Sequence, residues 1–228
     1  MRKSISHLSL LTTYQLVCIV LLKIMKTVIK DPGATRRRIL DSAFEEFYHH
    51  GFQGGSLNRI VERAETTKGA LFHHYKGKND LGHAVIDQII GGQVRELWIE
   101  PMGQSSDPVE DLKSLLRKCM AQSSENQSEG LCNGCPLNNL AQEMSGLDDS
   151  FRTRLNKIYD DWRQALADAF QRGIQAGNVR KSVSPDAVAA FVVAGFTGTI
   201  GCVKNAQSIE LMYLITDELF RYLDFLKA

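Results

Sequence analysis

Cysteine is scarce in this chain. Its five members, Cys18, Cys119, Cys132, Cys135 and Cys202, are odd in number and unevenly spread over 228 residues. That excludes the paired framework of a small secreted disulfide domain and fits a reducing, cytoplasmic setting. Excess charge is also missing: 27 Lys and Arg against 26 Asp and Glu leave a formal +1. A nucleic-acid partner would therefore have to be met by basic side chains concentrated locally. Strand-like alternation of useful length and internal repeats are absent. So are a nucleophile–base pair, a metal-ligand set and a phosphate loop, which leaves an all-α small-molecule enzyme without residues to carry it. No cofactor is expected. What is present, 43% hydrophobic and 23% charged residues, is ordinary globular composition and excludes disordered and fibrous classes.

One long apolar run stands near the N-terminus, Leu8 to Met25, LSLLTTYQLVCIVLLKIM, behind Arg2, Lys3 and His7. It supports three readings: a short membrane segment, an amphipathic or packing extension, or a misassigned start, with Met25 the true initiator and the first 24 residues untranslated or a disordered appendage. As a spanning helix it is interrupted by Thr12, Thr13, Gln15 and Lys23, and no small-residue cleavage site follows it. No membrane partner is expected, although a membrane-tethered protein is the reading that this run would serve. Residues 1–30 are accordingly set apart as an N-terminal extension.

From Gly33 onward the periodicity is helical. Ile39, Leu40, Ala43, Phe44 and Phe47 form an apolar stripe entered through Arg36, Arg37 and Arg38. Gly51 can take the positive φ that follows a helix end, with Phe52 folding back on the last turn. Ser56 reads as the N-cap of a short helix carrying Leu57, Ile60, Val61 and Ala64. Thr67 reads as the N-cap of another, Lys68 to Tyr75, whose Leu71 and Tyr75 face inward. Two short helices joined by a tight turn are a helix-turn-helix signature. A longer helix starts at Asn79-Asp80 and runs towards Trp98, weakened by Gly91-Gly92. Pro101 to Asp107 reads as a linker, and Pro108 opens a helix through Leu112, Leu115, Leu116, Cys119 and Met120. Gln122 to Gly134 reads as loop, and Pro136 opens a helix through Leu137, Leu140 and Met144. Asp148-Asp149 cap the longest periodic run, from Phe151 to Ile174, closed by Gly177-Asn178. Ser184 and Ser208 open the last two helices. The fold class is all-α: a helix-turn-helix domain at 31–91 and a helical domain at 92–228.

The segments ILDSAFEEFYHHGF and SLNRIVERAETTKGALFHHYKGKNDL, within Thr35 to Ile90, resemble the N-terminal domain of the TetR (AcrR-like) family of regulators. The resemblance implies a homodimer that binds a double-stranded DNA operator and responds to a small-molecule inducer. The residue types agree with it. Thr67, Lys68, Gly69, Ala70 and His73 begin the second helix of the motif, where base edges are read. Lys68 suits guanine O6 or N7, Gly69 allows close approach, and the Ala70 methyl suits a thymine methyl. Ser56, Thr67, His74 and Lys78 suit phosphates. Taken singly, Ser56 and Thr67 could be caps alone, His73 and His74 solvated or core-edge residues, and Lys78 a helix-start charge. Two positions depart from the family pattern. Glu65 stands in the turn where the family usually has glycine, and Phe72 stands where tyrosine is common, which reduces that contact to an apolar one.

The C-terminal half resembles the family in outline only. Met120, Met144, Tyr159, Trp162, Phe170 and Phe191 are candidates for a largely apolar or aromatic ligand pocket, with core filling as the alternative for each. Cys132-Asn133-Gly134-Cys135 lacks the second ligand pair that a structural zinc needs, all six histidines lying at or before His83. Cys119, Cys132 and Cys135 could instead sense an oxidant or electrophile if a thiolate forms there. Ala187, Ala190, Ala194, Thr197 and Gly201 form a small-residue stripe, and Leu211, Ile215, Leu219 and Tyr222 a companion stripe. Together they suggest a two-fold four-helix dimer interface, with intrachain packing as the alternative.

Overall fold

The computed structural model describes residues 32–125 and 133–228, and the regular structure among them is helical apart from one isolated bridge between Val179 and Lys227. The run from Leu8 to Met25, the extension 1–30, Cys18 and Cys132 lie outside the described residues.

Helix α1 (Pro32–Gly54) buries Ile39, Leu40, Ala43 and Phe47. Its path breaks at Gly51, whose φ of 72° and ψ of 168° lie outside helix space. A Cβ there would also stand 2.9 Å from a Glu143 carboxylate oxygen. Beyond the break Phe52 folds inward, its ring 5.1 Å from Phe47 and 4.6 Å from Phe151. Helices α2 (Leu57–Arg63) and α3 (Lys68–His74) close over α1 through Ile60, Ala64, Leu71 and Tyr75, all buried.

Helix α4 covers residues 78–103 without interruption. Two of its segments, Val85–Ile90 and Arg95–Ile99, are π-helical, flanking Gly91–Val94. Near its start Gly82 permits close approach, because a Cβ would lie 2.6 Å from the Phe52 ring and 2.9 Å from Phe151. The expected linker at Pro101 is corrected: residues up to Gly103 continue the helix, with Met102 drawn fully into the core. Likewise α5 (Pro108–Glu125) runs past Gln122, where a loop was expected.

Helices α6 (Pro136–Met144), α7 (Asp149–Ala176), α8 (Pro185–Ala206) and α9 (Ile209–Phe225) complete the C-terminal half. The expected caps form. Asp148 Oδ1 accepts from the Ser150 and Phe151 N–H groups, Ser184 Oγ from Ala187, and Ser208 Oγ from Leu211. Gly177 ends α7 in the left-handed region at φ 81°. The core centres on Trp98, Trp162 and Phe196, whose ring centroids lie 4.7–6.0 Å apart. Burying each such aromatic contributes on the order of 2–3 kcal/mol. The chain end is tied down by Lys113, which bonds both Asp224 carboxylate oxygens at 2.8 Å, and by Lys227 on Glu110.

Helix α8 is long and apolar enough to cross a membrane by length and composition, with a mean hydropathy of 1.7. The fold accounts for this on one face, where Val188, Ala189, Val192 and Val193 are buried. The opposite face, Ala187, Ala190, Phe191, Ala194 and Gly198, is exposed. This corrects the expected stripe, because Thr197 turns inward and bonds Val193 O at 2.8 Å. Gly198 takes the next exposed place. On α9 the companion stripe also packs within the chain, Leu219 buried and Leu211, Ile215 and Tyr222 partly so. Tyr213 and Leu214 provide the exposed apolar surface instead.

Candidate nucleic-acid interface

The turn between α2 and α3 is fixed by backbone chemistry. Glu65 N–H bonds Glu62 O at 3.0 Å and Thr66 N–H bonds Val61 O at 3.1 Å, the paired closure of a Schellman motif. That closure requires a left-handed residue, and Glu65 supplies it at φ 48°. Here lies the physical reason for glycine at this place in the family pattern. A side chain costs about 1–2 kcal/mol in this conformation.

After the turn, Thr67 Oγ1 accepts the Ala70 N–H at 3.2 Å, starting α3. Leu71 and Tyr75 then face the core. Thr67, Lys68, Gly69, Phe72 and His73 are exposed, Phe72 by 51%, while Ala70 and His74 are half-buried. The expected reading residues therefore share the outward side of one short helix. Arg63 and Lys76, exposed at the end of α2 and just past α3, add positive charge nearby that periodicity did not single out.

What holds α2 in place was not legible in sequence. Glu46 on α1 is buried, and its Oε1 accepts the Ser56 N–H at 2.8 Å and Arg59 Nε at 2.7 Å. Burial alone would raise its pKa. The Arg59 and Ser56 hydrogen bonds and the Arg59 charge outweigh it and hold the carboxyl below its usual range. Ser56 occupies the N-cap position, yet its hydroxyl makes no capping bond. The expected cap is corrected to one of position only. Lys78 is half-buried, donating to Gln53 O at 3.0 Å and lying 5.0 Å over the Phe52 ring. Desolvation lowers its pKa. Its ammonium thus has one partner within the chain and keeps two further donors.

A second carboxylate joins the two halves of the chain. Glu143 on α6 accepts the N–H groups of Phe52 and Gln53, each at 2.7 Å, so α6 holds the far end of α1. Tyr48 Oη donates to Gly134 O at 2.8 Å beside it. Neither tie has a sequence signal, since the partners are about ninety residues apart.

The six ligand-pocket candidates are not brought together. Trp162 and Phe170 are fully buried core residues, and Met144 is buried on α6. Tyr159 bonds Asn138 at 3.2 Å. Phe191 is 53% exposed on α8, its ring 4.7 Å from Tyr222. Only Met120 lines the small cavity between α5, α8 and α9, with Cys119, Phe196 and Met212. That cavity has about 10 Å³ of free space. Trp162 retains one unusual property: its buried Nε1–H has no acceptor among the described residues. Burial and the neighbouring Cys135 push the Cys119 thiol up to about 11, leaving it protonated at neutral pH and a poor nucleophile. Among the described residues no group of His, Cys, Asp and Glu is placed to hold a metal.

With this geometry in hand, two family models match the chain. Residues 39–85 match "Bacterial regulatory proteins, tetR family", and residues 108–213 match "Tetracyclin repressor-like, C-terminal domain". The chain is 25% identical to the HTH-type transcriptional repressor DhaR of Mycobacterium sp. (strain GP1), covering 77% of this chain and 85% of that one. It is 30% identical to the uncharacterized HTH-type transcriptional regulator YxaF of Bacillus subtilis (strain 168), over 59% and 69%. The fold matches a TetR transcriptional regulator from Chloroflexus aurantiacus J-10-FL with a TM-score of 0.76 at 23% identity, over 87% of this chain and 98% of that one.

Proposed function

The chain belongs to the TetR family of bacterial regulators, and from that premise we propose that it is a homodimeric, ligand-responsive repressor of transcription acting in the cytoplasm. The observation that carries this reading is the exposed side of α3, where Lys68, Gly69, Phe72 and His73 follow a rigidly closed turn. Lys68 reads a guanine and the Ala70 methyl a thymine, while Phe72 packs on sugar or a thymine methyl. Ser56, Thr67 and His74 hold phosphates. Lys78, besides fixing the end of α1, joins them on the phosphates with its remaining donors.

The N-terminal domain is α1 to α3 with the start of α4, and the rest senses ligand and dimerises. Two copies join through the exposed faces of α8 and α9, Ala187, Ala190, Ala194 and Gly198 allowing close approach, with Phe191 and Leu214 as larger contacts. A two-fold dimer matches a palindromic operator. The inducer is largely apolar, with one acceptor for the orphan Trp162 Nε1–H, and it enters by opening the core around Met120 and Phe196. The protonated Cys119 favours such a ligand over an electrophile. Ligand affinity that differs between two positions of α4 then changes the spacing of the two α3 helices.

Fluorescence anisotropy of the full chain on duplexes tiled across the DNA flanking its own gene, at fixed salt, tests this. Tight binding to one near-palindrome is expected, and Lys68→Ala should lose about 1–3 kcal/mol on that site alone. Weak binding equal to that of scrambled duplexes would overturn the reading.

A further inference from the structure

A cavity of about 420 Å³ opens between the helix-turn-helix end and the C-terminal bundle. This volume lies within the range of roughly 300–1,000 Å³ of small-molecule pockets. It is separate from the core around Trp162, which does not line it. One wall is aromatic: Phe44 and Tyr48 on α1 lie parallel, their planes 6° apart and centroids 5.7 Å apart. Leu140 and Asn139 of α6 and Lys204 of α8 also line the cavity. Glu143 completes it, both of its oxygens already accepting backbone N–H groups of Phe52 and Gln53.

The charges select the occupant. Lys204 donates to Asn139 Oδ1 at 3.3 Å and has no ion pair among the described residues. A cationic ligand would meet that ammonium, while Glu143, still charged, has each oxygen turned to a backbone N–H of α1. A neutral apolar ligand would cover Lys204 without pairing it, at a desolvation cost. An anion on a flat apolar body meets two features, the ammonium and the ring wall, the Asn139 amide being engaged already by Asn133 O at 2.7 Å and by Lys204.

We propose that this cleft is a second effector site, which takes a small aromatic monocarboxylate with its carboxylate on Lys204 and its ring against Phe44 and Tyr48. The occupant sits beside the two hydrogen bonds by which Glu143 holds the end of α1. Binding there biases the angle between the DNA-facing end and the bundle without entering the core. The site is additional to the apolar one proposed above and does not depend on it.

Isothermal titration of the full chain with 2-naphthoate, and with 2-naphthalenemethanol as its uncharged counterpart, tests the assignment in the absence of DNA. One naphthoate per chain is expected. Lys204→Met should weaken naphthoate about tenfold, equivalent to about 1.4 kcal/mol, and leave the alcohol unchanged or bound more tightly, while Lys204→Arg keeps the affinity. Gln142→Trp, at an exposed position lining the cavity, should weaken both ligands. Thermal melts of each variant establish that it is folded. Absence of naphthoate binding at millimolar concentration, equal loss of both ligands in Lys204→Met, or indifference to Lys204→Met and Gln142→Trp would overturn the proposal. Because no DNA is present, failure here leaves the repressor reading standing, and failure of the anisotropy experiment leaves this site standing.

Discussion

Helices α2 and α3 have 7 residues each, whereas α7 and α8 have 28 and 22. Isolated helices below about 12–15 residues are marginal in water, so the two halves must be held by different means. In the bundle the length suffices for a continuous apolar stripe, and α7 alone buries Phe151, Leu155, Ile158, Trp162, Leu166 and Phe170. At the DNA-facing end a few apolar anchors are supplemented by individual polar ties: Glu46 to Ser56 and Arg59, Thr67 to Ala70, Lys78 to Gln53, and Glu143 to Phe52 and Gln53. Packing of the first kind fails as a whole, while single hydrogen bonds can be exchanged one at a time. Under the proposed function, a reading head held by such ties is re-aimed while the bundle stays folded.

The largest test of this contrast is Trp162→Ala. It should cost about 3–5 kcal/mol and lower the denaturation midpoint of the whole chain, read by far-UV circular dichroism. Glu46→Ala leaves the Ser56 N–H and Arg59 without their acceptor and should cost about 1–3 kcal/mol. Its effect should appear chiefly as faster amide exchange in α2 and α3. Equal loss of global stability with uniform exchange in both variants would break the contrast between the halves.

A smaller change sharpens it. Glu65→Gly relieves the left-handed side chain and should stabilise the turn by about 1 kcal/mol, measured by the same exchange experiment. It also removes a negative charge near the DNA face, so all duplexes should bind somewhat more tightly. No change in turn protection would mean that Glu65 carries no backbone penalty.

The smallest expected effect lies at the chain end. The hydrogen bonds from Lys113 and Lys227 hold the Asp224 carboxyl down to about 2, below its ordinary 3.8. A depressed folded-state pKa contributes stability that is fully present above the unfolded value and disappears as pH falls through the folded one. Acid melts should therefore lose this contribution between about pH 4 and pH 2, and Asp224→Asn should flatten that segment of the curve. An unchanged pH profile in the variant would show that the tie contributes nothing measurable.

Much of this was legible beforehand because it depends on neighbours in sequence. Thr67, Asp148, Ser184 and Ser208 cap helices through bonds to residues two or three positions on. Gly51 and Gly177 mark breaks by their own conformational freedom, and Glu65 stands out against the family pattern from residue type alone. Ser56 misled because its backbone N–H, not its hydroxyl, makes the recorded bond, and the acceptor is on another helix. Thr197 misled because helical spacing alone cannot tell an inward small residue from an outward one. The aromatic pocket candidates failed to converge because residue type does not say which of two large side chains fills a core and which, like Phe191, remains at the surface.

The sequence by itself determined the helices, their capped ends and the order of short and long segments, since these follow from periodicity and bonds within a turn. It also determined which residue types begin the reading helix. Only the tertiary structure decided how that helix is held and what lies between the halves. Glu46, Glu143 and Lys204 acquire their roles from partners ten to ninety-one residues away. Contacts at that separation leave no local pattern, because they exist only once the core has fixed where each helix lies.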